Sequence, residues 1–314
     1  MIATAFPDLQ WLKQQIAARF RDRRGLSNLA LDADGFPSVV INATTKESYR
    51  PDIVGPVSLF LNLKGQSRCK VDGRTVLVDA DHYFISNRFQ SYTLEIEQDE
   101  PVETFNIHIG EYFSEQFFAS ALNTSDTLLN EGAQLTVPTV AFHNKLFTKD
   151  ARFSTLVSRL QLCKRSRGID RLLFEETLAA LLQHLLEQHR NILKDIEALS
   201  PLKRSTRLEL YKRVSQATDL IHSRYTGQPE LDEMAAAACL SKFHFLRLFK
   251  EVHHCSPYQY LQQLRMQRSE QLLRSGTSVA DIALQLGFEN GSSFSRLFRQ
   301  HKGVYPSQYK AQVN

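Results

Sequence analysis

The chain has 314 residues, 42% of them hydrophobic and 23% charged, and a formal net charge of +4. That length exceeds one small domain and predicts two units of roughly 100–200 residues, and the composition excludes a disordered or fibrous chain. Four widely separated cysteines (Cys69, Cys163, Cys239, Cys255) form no C-x-x-C pair, which argues against a disulfide scaffold or structural zinc and predicts a reducing, cytoplasmic setting.

The longest strictly apolar run, 234–240, has seven residues, against about 20 for a membrane span. The first turns carry Asp8 and Lys13 and lack the apolar stretch of a secretory signal. No membrane association is expected. Charge is uneven along the chain. From Pro201 onward there are 16 Lys and Arg against 9 Asp and Glu, a net of +7, whereas the first 200 residues carry −3. A basic C-terminal third on a mildly acidic body predicts a module that binds a polyanion.

Leu9, Leu12, Ile16 and Phe20 form a helical stripe over 9–20. After Gly35 the period becomes two. Val57, Leu59, Leu61 and Leu63 alternate with Ser58, Phe60 and Asn62, and Tyr92/Leu94/Ile96 and Phe105/Ile107/Ile109 repeat the pattern. Asp72-Gly73 between Val71 and Arg74 reads as a two-residue hairpin turn. Short strands punctuated by Gly, Pro and Asp predict a compact β-barrel or sandwich over about 36–110. Helical spacing returns over about 150–198. There Phe174, Leu178, Leu181, Leu182, Leu185, Ile192 and Ile196 share one face, which predicts either packing on the chain's own barrel or a dimer seam. Ser200-Pro201 and the polar run after it mark the expected boundary. The expected domains are 1–200 and 201–314.

The basic third repeats itself. Phe245-Leu-Arg-Leu-Phe-Lys250 recurs as Phe294-Ser-Arg-Leu-Phe-Arg299, and Pro257-Tyr-Gln-Tyr260 as Pro306-Ser-Gln-Tyr309, always 49 residues on. Seven of the 16 aligned pairs over 245–260 are identical. Each block follows a helix of small residues, 234–238 in the first and 282–284 in the second. Each unit therefore reads as helix, tight turn, helix: about 231–253 and about 279–301. Ser241 and Asn290 stand where they can cap the second helices. The small alanines let the first helix cross close over the second, as in helix-turn-helix motifs. Ser256-Pro257-x-Gln259 opens a connecting helix to about Arg274. Eighteen residues make about 27 Å of helix, enough with the width of the units to set two reading helices near one DNA turn apart.

Ala283-x3-Gly287-Phe288-x5-Phe294-x-Arg296-x-Phe298-x4-Gly303-x2-Pro306-x2-Tyr309 closely resembles the C-terminal signature of the AraC/XylS family of bacterial transcription regulators. The resemblance spans about 207–312. The β-rich first half, through its domain order and the stretch 102–109, is similar to the cupin-like sensing and dimerisation domain of such regulators. The implied fold is α+β, a cupin-like barrel with helices followed by an all-α domain with two helix-turn-helix motifs joined by a long helix.

The resemblance implies that Phe243, Leu246, Arg247, Gly291, Ser292 and Arg296 face bases. Arginine can donate two hydrogen bonds to guanine, and Phe243 and Leu246 suit thymine methyls. Ser241, Lys242, Lys250, Asn290, Ser293 and Arg299 are expected on the DNA backbone. The second reading helix begins Gly-Ser-Ser, so the first unit is expected to carry more sequence specificity and the second to rely on backbone and shape. His254 stands where the second unit has Gly303, at a position expected to be left-handed.

In the first half, isolated His82 and His108 lack the H-x-H of catalytic cupins, so no metal, cofactor or enzymatic activity is expected. Tyr83, Arg88, Tyr92, His108 and Tyr112 are candidates to line an effector pocket. The resulting expectation is a sequence-specific regulator of promoter DNA, an activator acting through RNA polymerase, homodimeric and controlled by a small molecule. The alternatives are a ligand-independent repressor or architectural protein and a DNA-repair alkyltransferase. The latter requires a reactive cysteine with basic neighbours.

Overall fold

The computed structural model describes residues 2–21, 35–122, 140–165, 170–200 and 203–313. Pro201 and the side chain of Phe20 lie outside the described residues. The chain divides into two units, Met1–Leu193 and Lys194–Asn314.

The first unit is built on strands β1 (Ile2–Ala3), β2 (Val39–Ile41), β3 (Thr44–Val54), β4 (Val57–Lys64), β5 (Ser67–Val71), β6 (Arg74–Val78), β7 (His82–Ser86), β8 (Ser91–Thr104), β9 (Asn106–Ile109) and β10 (Leu146–Thr148). Pairing runs β1-β2-β9-β4-β8-β5-β6, with β7 on β4 and β10, and β3 on β8. The first half of β4 lies between β7 and β9, and its end pairs with β8 from Asn62 onward, with a register shift between Asn62 and Lys64. Two sheets therefore share β4. Of the expected barrel or sandwich, a closed barrel is not formed: among the described residues the path ends at β1 and β6, which do not pair. Alternation reports which face a strand buries, whereas closure depends on the lateral partners of the end strands.

The 71–74 turn is a two-residue hairpin, with Asp72 and Gly73 both at positive φ and Val71 registered on Arg74. The interior holds Phe60, Phe84, Tyr92, Leu94, Val71 and Val78. Helix α1 (Leu9–Arg21) closes onto this interior. Ile16 is part of the core, Phe6, Leu9 and Leu12 pack against it, and the Arg50 guanidinium donates to Pro7 O at 2.8 Å.

Among the described residues three further helices belong mainly to this unit: α2 (Glu111–Leu122), α3 (Ala151–Arg165) and α4 (Arg171–Ala198). The α4 stripe is buried throughout, from Phe174 and Leu178 to Ile192 and Ile196. The dimer-seam reading of that face is therefore corrected, because its side chains are already covered within one chain.

The second unit is helical: α5 (Arg204–Ser223), α6 (Leu231–Ala237), α7 (Lys242–His253), α8 (Pro257–Arg274), α9 (Val279–Gln285), α10 (Gly291–Lys302) and α11 (Pro306–Val313). Helices α6 and α7 form one pair, α9 and α10 another, and α8 joins them. Buried Met234, Ala235 and Ala238 of the first pair correspond to Ile282, Ala283 and Leu286 of the second, 48 residues on. The turns share their backbone bonds. Cys239 and Leu240 N–H donate to Ala236 and Ala235 O, as Gly287 and Phe288 N–H donate to Leu284 and Ala283 O. After the turn the offset becomes 49, because the second turn holds one extra residue before its cap. Phe249 and Tyr260 meet edge-on at 5.7 Å, as Phe298 and Tyr309 do at 5.5 Å. The whole is a mixed α+β chain with its sheets in the first unit and only helices described in the second.

Candidate nucleic-acid interface

Helix α7 buries Phe245, Leu248 and Phe249 at i, i+3, i+4 spacing. That face fixes what the opposite face presents. Phe243 is 87% exposed, unusual for a phenyl ring that packs on nothing. Lys242, Arg247 and Lys250 are exposed and Leu246 is half-buried. Lys242 Nζ lies 2.5 Å from Asp232 of α6, and Arg247 Nε lies 3.8 Å from Glu251. Ser241 holds the N-cap position with extended backbone, but its side chain makes no capping bond. Its expected local role is thus only positional.

Helix α10 buries Phe294 and Phe298 in the same way. Asn290 caps it, accepting from Ser293 N–H at 2.8 Å. Ser292, Arg296 and Arg299 are exposed, and Gly291 and Ser293 half-buried. Arg299 is already engaged, donating to Tyr305 OH at 2.7 Å with its guanidinium 4.6 Å from that ring. Val279, Ala280, Gly291, Ser292, Ser295, Arg296 and Tyr305 line an open depression of about 630 Å³ beside the start of α10.

Both reading-helix candidates end in left-handed residues, His254 at φ 56° and Gly303 at φ 77°. Their N–H groups donate to Lys250 O and Arg299 O respectively. His254 thus takes the conformation that glycine takes in the second pair.

The loop between α5 and α6, against which the turn of the second pair rests, is pinned from α8. Arg265 Nε donates to Tyr225 O at 2.8 Å and its Nη2 to Gly227 O. Burial lowers the Arg265 pKa, but an arginine stays charged and acts here as a clamp. Gly287 fits against this loop. A Cβ there would stand 1.8 Å from Thr226 O.

The five effector candidates do not converge. Tyr83 stacks on Phe147 and Phe153 at 5.1 and 4.0 Å, on the face opposite Phe84, so it is packed core. Burial pushes its hydroxyl pKa up. Arg88 pairs with Glu111 at 3.5 Å and with Glu115, and Tyr112 is exposed on α2. Tyr92 and His108 alone meet a common side chain, Phe60, at 4.7 and 6.2 Å.

His108 belongs to a polar row that alternation alone did not reveal. Ser58 is registered between Ser86 on β7 and His108 on β9. Ser58 Oγ donates to Pro56 O at 2.9 Å and so accepts from His108 Nδ1, also at 2.9 Å. Nε2 is left as an acceptor. Burial, then the Arg50 charge, lowers the His108 pKa to about 4, so the ring is neutral at pH 7. Ser86 is 99% buried, yet its Oγ has no hydrogen-bond partner among the described residues.

Three of the four cysteines are poorly set to act as nucleophiles. Burial raises the pKa values of Cys69, Cys163 and Cys255. Among the described residues no group of three or more His, Cys, Asp or Glu is arranged to hold a metal, and no helix is long and apolar enough to cross a membrane.

Residues 234–312 match the model of a helix-turn-helix domain. The chain is 31% identical over 98 residues to the lactose operon transcription activator of Staphylococcus xylosus, covering 31% of this chain and 35% of that protein. It is 31% identical over 150 residues to the MmsAB operon regulatory protein of Pseudomonas aeruginosa, covering 46% and 47%. Thus it spans about a third to a half of the length of these relatives. Among solved structures it is similar to a transcriptional regulator with an AraC-type DNA-binding domain from Chromobacterium violaceum, at 29% identity and TM-score 0.31, covering 32% of this chain and 91% of that one.

Proposed function

We propose that the chain is a member of the AraC/XylS family of DNA-binding regulators, on the strength of the helix-turn-helix match over 234–312 and the likeness to operon regulators, and that it is a sequence-specific transcription regulator that reads promoter DNA with two helix-turn-helix units. The observation that carries this reading is the duplicated helix pair with matched turn bonds, each presenting an exposed arginine opposite a buried phenylalanine pair. Phe243, Leu246, Arg247, Gly291, Ser292 and Arg296 are the base-facing set. Ser241, Lys242, Lys250, Asn290, Ser293 and Arg299 approach the sugar-phosphate backbone. The exposed phenyl ring of Phe243 favours the first unit as the more specific reader, because an apolar group outside the core gains from contact with thymine methyls. Arg299, held by Tyr305, suits a phosphate contact more than a base contact.

The first unit serves as a cupin-like effector-sensing domain in this reading. Of the five candidate residues, Tyr92 and His108 are retained, joined by Ser58 and Ser86. A buried hydroxyl without a partner and an imidazole acceptor suit a small molecule with hydrogen-bonding groups. The regulator works in the cytoplasm as a homodimer and activates transcription through RNA polymerase.

The test is genome-wide DNA binding by the full-length protein beside the Arg247→Ala/Arg296→Ala double variant. The expected result is discrete promoter sites that the variant loses. Diffuse, salt-sensitive binding retained by the variant would mean that the basic unit holds DNA without reading it.

A further inference from the structure

We propose that Glu251 is a positioning residue that presents Arg247 to a guanine, and that Ser200, at the start of the chain between α4 and α5, sets its orientation. This rests on the reading of Arg247 as a base contact. The two residues follow each other by one helical turn, with Arg247 Nε 3.8 Å from a Glu251 carboxylate oxygen. A carboxylate on the Nε side leaves both terminal Nη groups on the far edge of the guanidinium. That edge is the fork that fits guanine O6 and N7. Arg247 is 70% exposed, so without a neighbour its guanidinium samples many rotamers, and ordering them on DNA costs free energy.

Glu251 is itself held from outside its helix. Ser200 Oγ lies 3.3 Å from each of its carboxylate oxygens, 51 residues away in sequence. The segment that carries Ser200 is fixed on the second unit. Leu199 is buried, and Arg207 of α5 donates to Glu197 O at 2.9 Å. The chain Ser200–Glu251–Arg247 therefore links the segment that leaves α4 to the reading face of α7. A shift of that segment releases the carboxylate, and the arginine fork loses its fixed reference. Glu251 also sets a negative charge next to the path of the phosphates, which weakens binding wherever no base contact compensates.

The experiment selects binding sites from a random-sequence duplex library with full-length wild type, Glu251→Ala, Glu251→Gln, Ser200→Ala, Arg247→Ala and the Arg247→Ala/Glu251→Ala double variant. Arg247→Ala is expected to remove the preference for guanine at one position. A bidentate contact provides roughly 5–150-fold discrimination, and Glu251→Ala is expected to lower it about 5-fold at that same position and at no other. Ser200→Ala is expected to lower it about 2-fold there. Added to Arg247→Ala, the Glu251 change is expected to have no further effect on base preference. Glu251→Gln keeps a hydrogen-bonding group for Ser200 but loses the charge. It is expected to lose the guanine discrimination nearly as fully as Glu251→Ala, because the contact with Arg247 is one of charge at 3.8 Å, and to bind poly(dI-dC) more tightly than wild type.

Three results would overturn the proposal. In one, Arg247→Ala flattens its position while Glu251→Ala leaves it intact, so the arginine reads unaided and the functional reading stands. In another, Glu251→Ala weakens every position equally, as loss of the helix itself would. In the third, Arg247→Ala changes no position. The base-reading assignment then fails, and the positioning role fails with it.

Discussion

Alanine at position 287 sets a Cβ 1.8 Å from Thr226 O and 2.8 Å from the carbonyl carbon. Backbone lies on both sides of this contact, so the loop must move by more than about 1 Å to reach ordinary separation. The position is also left-handed, at φ +71°, which costs an alanine about 1–2 kcal/mol. Moving Thr226 displaces its neighbours Tyr225 and Gly227, whose carbonyls receive Arg265. Losing one hydrogen bond to a charged group costs about 1.5–3 kcal/mol. Gly287→Ala is therefore expected to destabilise the second unit by about 3–5 kcal/mol, a large part of the roughly 5–15 kcal/mol that holds a domain. Gly303 is the control. It is left-handed at φ +77° with nothing within 4 Å of an added Cβ, so Gly303→Ala should cost only the conformational 1–2 kcal/mol. Urea titration followed by far-UV circular dichroism compares the two. Equal losses would refute the argument that the Thr226 contact, rather than the dihedral alone, requires glycine.

The first pair offers the converse. His254→Gly relieves a left-handed non-glycine residue and should raise the urea midpoint, by a net of about 0.5–1 kcal/mol after the entropy of glycine; an unchanged or lower midpoint counts against it. Leu178→Asp with Leu185→Asp sets two carboxylates into the buried face of α4 and should abolish the cooperative transition of the first unit. A folded monomer from that variant would revive the dimer seam. Stability should also depend on pH in a defined window. The folded His108 pKa is lowered to about 4 by burial and then Arg50, and that of His143 to about 4 by burial, then His189 and Lys145, whereas an unfolded histidine titrates near ~6.5. Between these values the unfolded state binds more protons, so stability is full above about pH 6.5, falls as pH drops toward 4 and levels off below. His108→Gln should flatten part of that slope in urea midpoints taken from pH 4 to 7. A slope that stays unchanged would count against a buried neutral imidazole.

The helical third was legible because one spacing appears twice. Phe245, Phe249 and Tyr260 predict one another only weakly, but with Phe294, Phe298 and Tyr309 at the same intervals the pattern admits one packing. The 71–74 hairpin was legible for a different reason, since Asp-Gly satisfies a pair of positive φ angles at little cost. What was not legible depends on lateral or distant neighbours. Alternation places Tyr83 and Phe84 on opposite faces but does not say which face carries α3, and Tyr83 lies under Phe153. The helix at 111–122 and the short strand at 146–148 went unread, one with a weak stripe and the other too short to show a period. The α4 stripe shows that a face is apolar, not what covers it. Ser200 and Glu251 are joined across 51 residues by a single side-chain contact, which no local pattern encodes.

The two helix pairs differ in a consistent direction. The second has glycine at both left-handed positions, 287 and 303, and an asparagine that caps its reading helix through its side chain. The first has Cys239 and His254 at the equivalent places and a Ser241 that forms no capping bond. Each of these departures costs stability by ordinary backbone and capping energetics. Yet the first pair carries the exposed Phe243, the half-buried Leu246 and an arginine with a carboxylate beside it, whereas the second opens with glycine and two serines. The pair that is poorer in local stabilising residues is thus the richer in side chains suited to base edges. Its packing compensates, because α7 rests on α5, α6 and α8 with Phe245, Leu248 and Phe249 buried, and Phe249 meets Tyr260 of α8 edge-on. The first reading helix is held by its buried face more than by its ends. Its outward face then remains open to substitution without loss of the fold, which is the property that a surface selected for sequence discrimination requires.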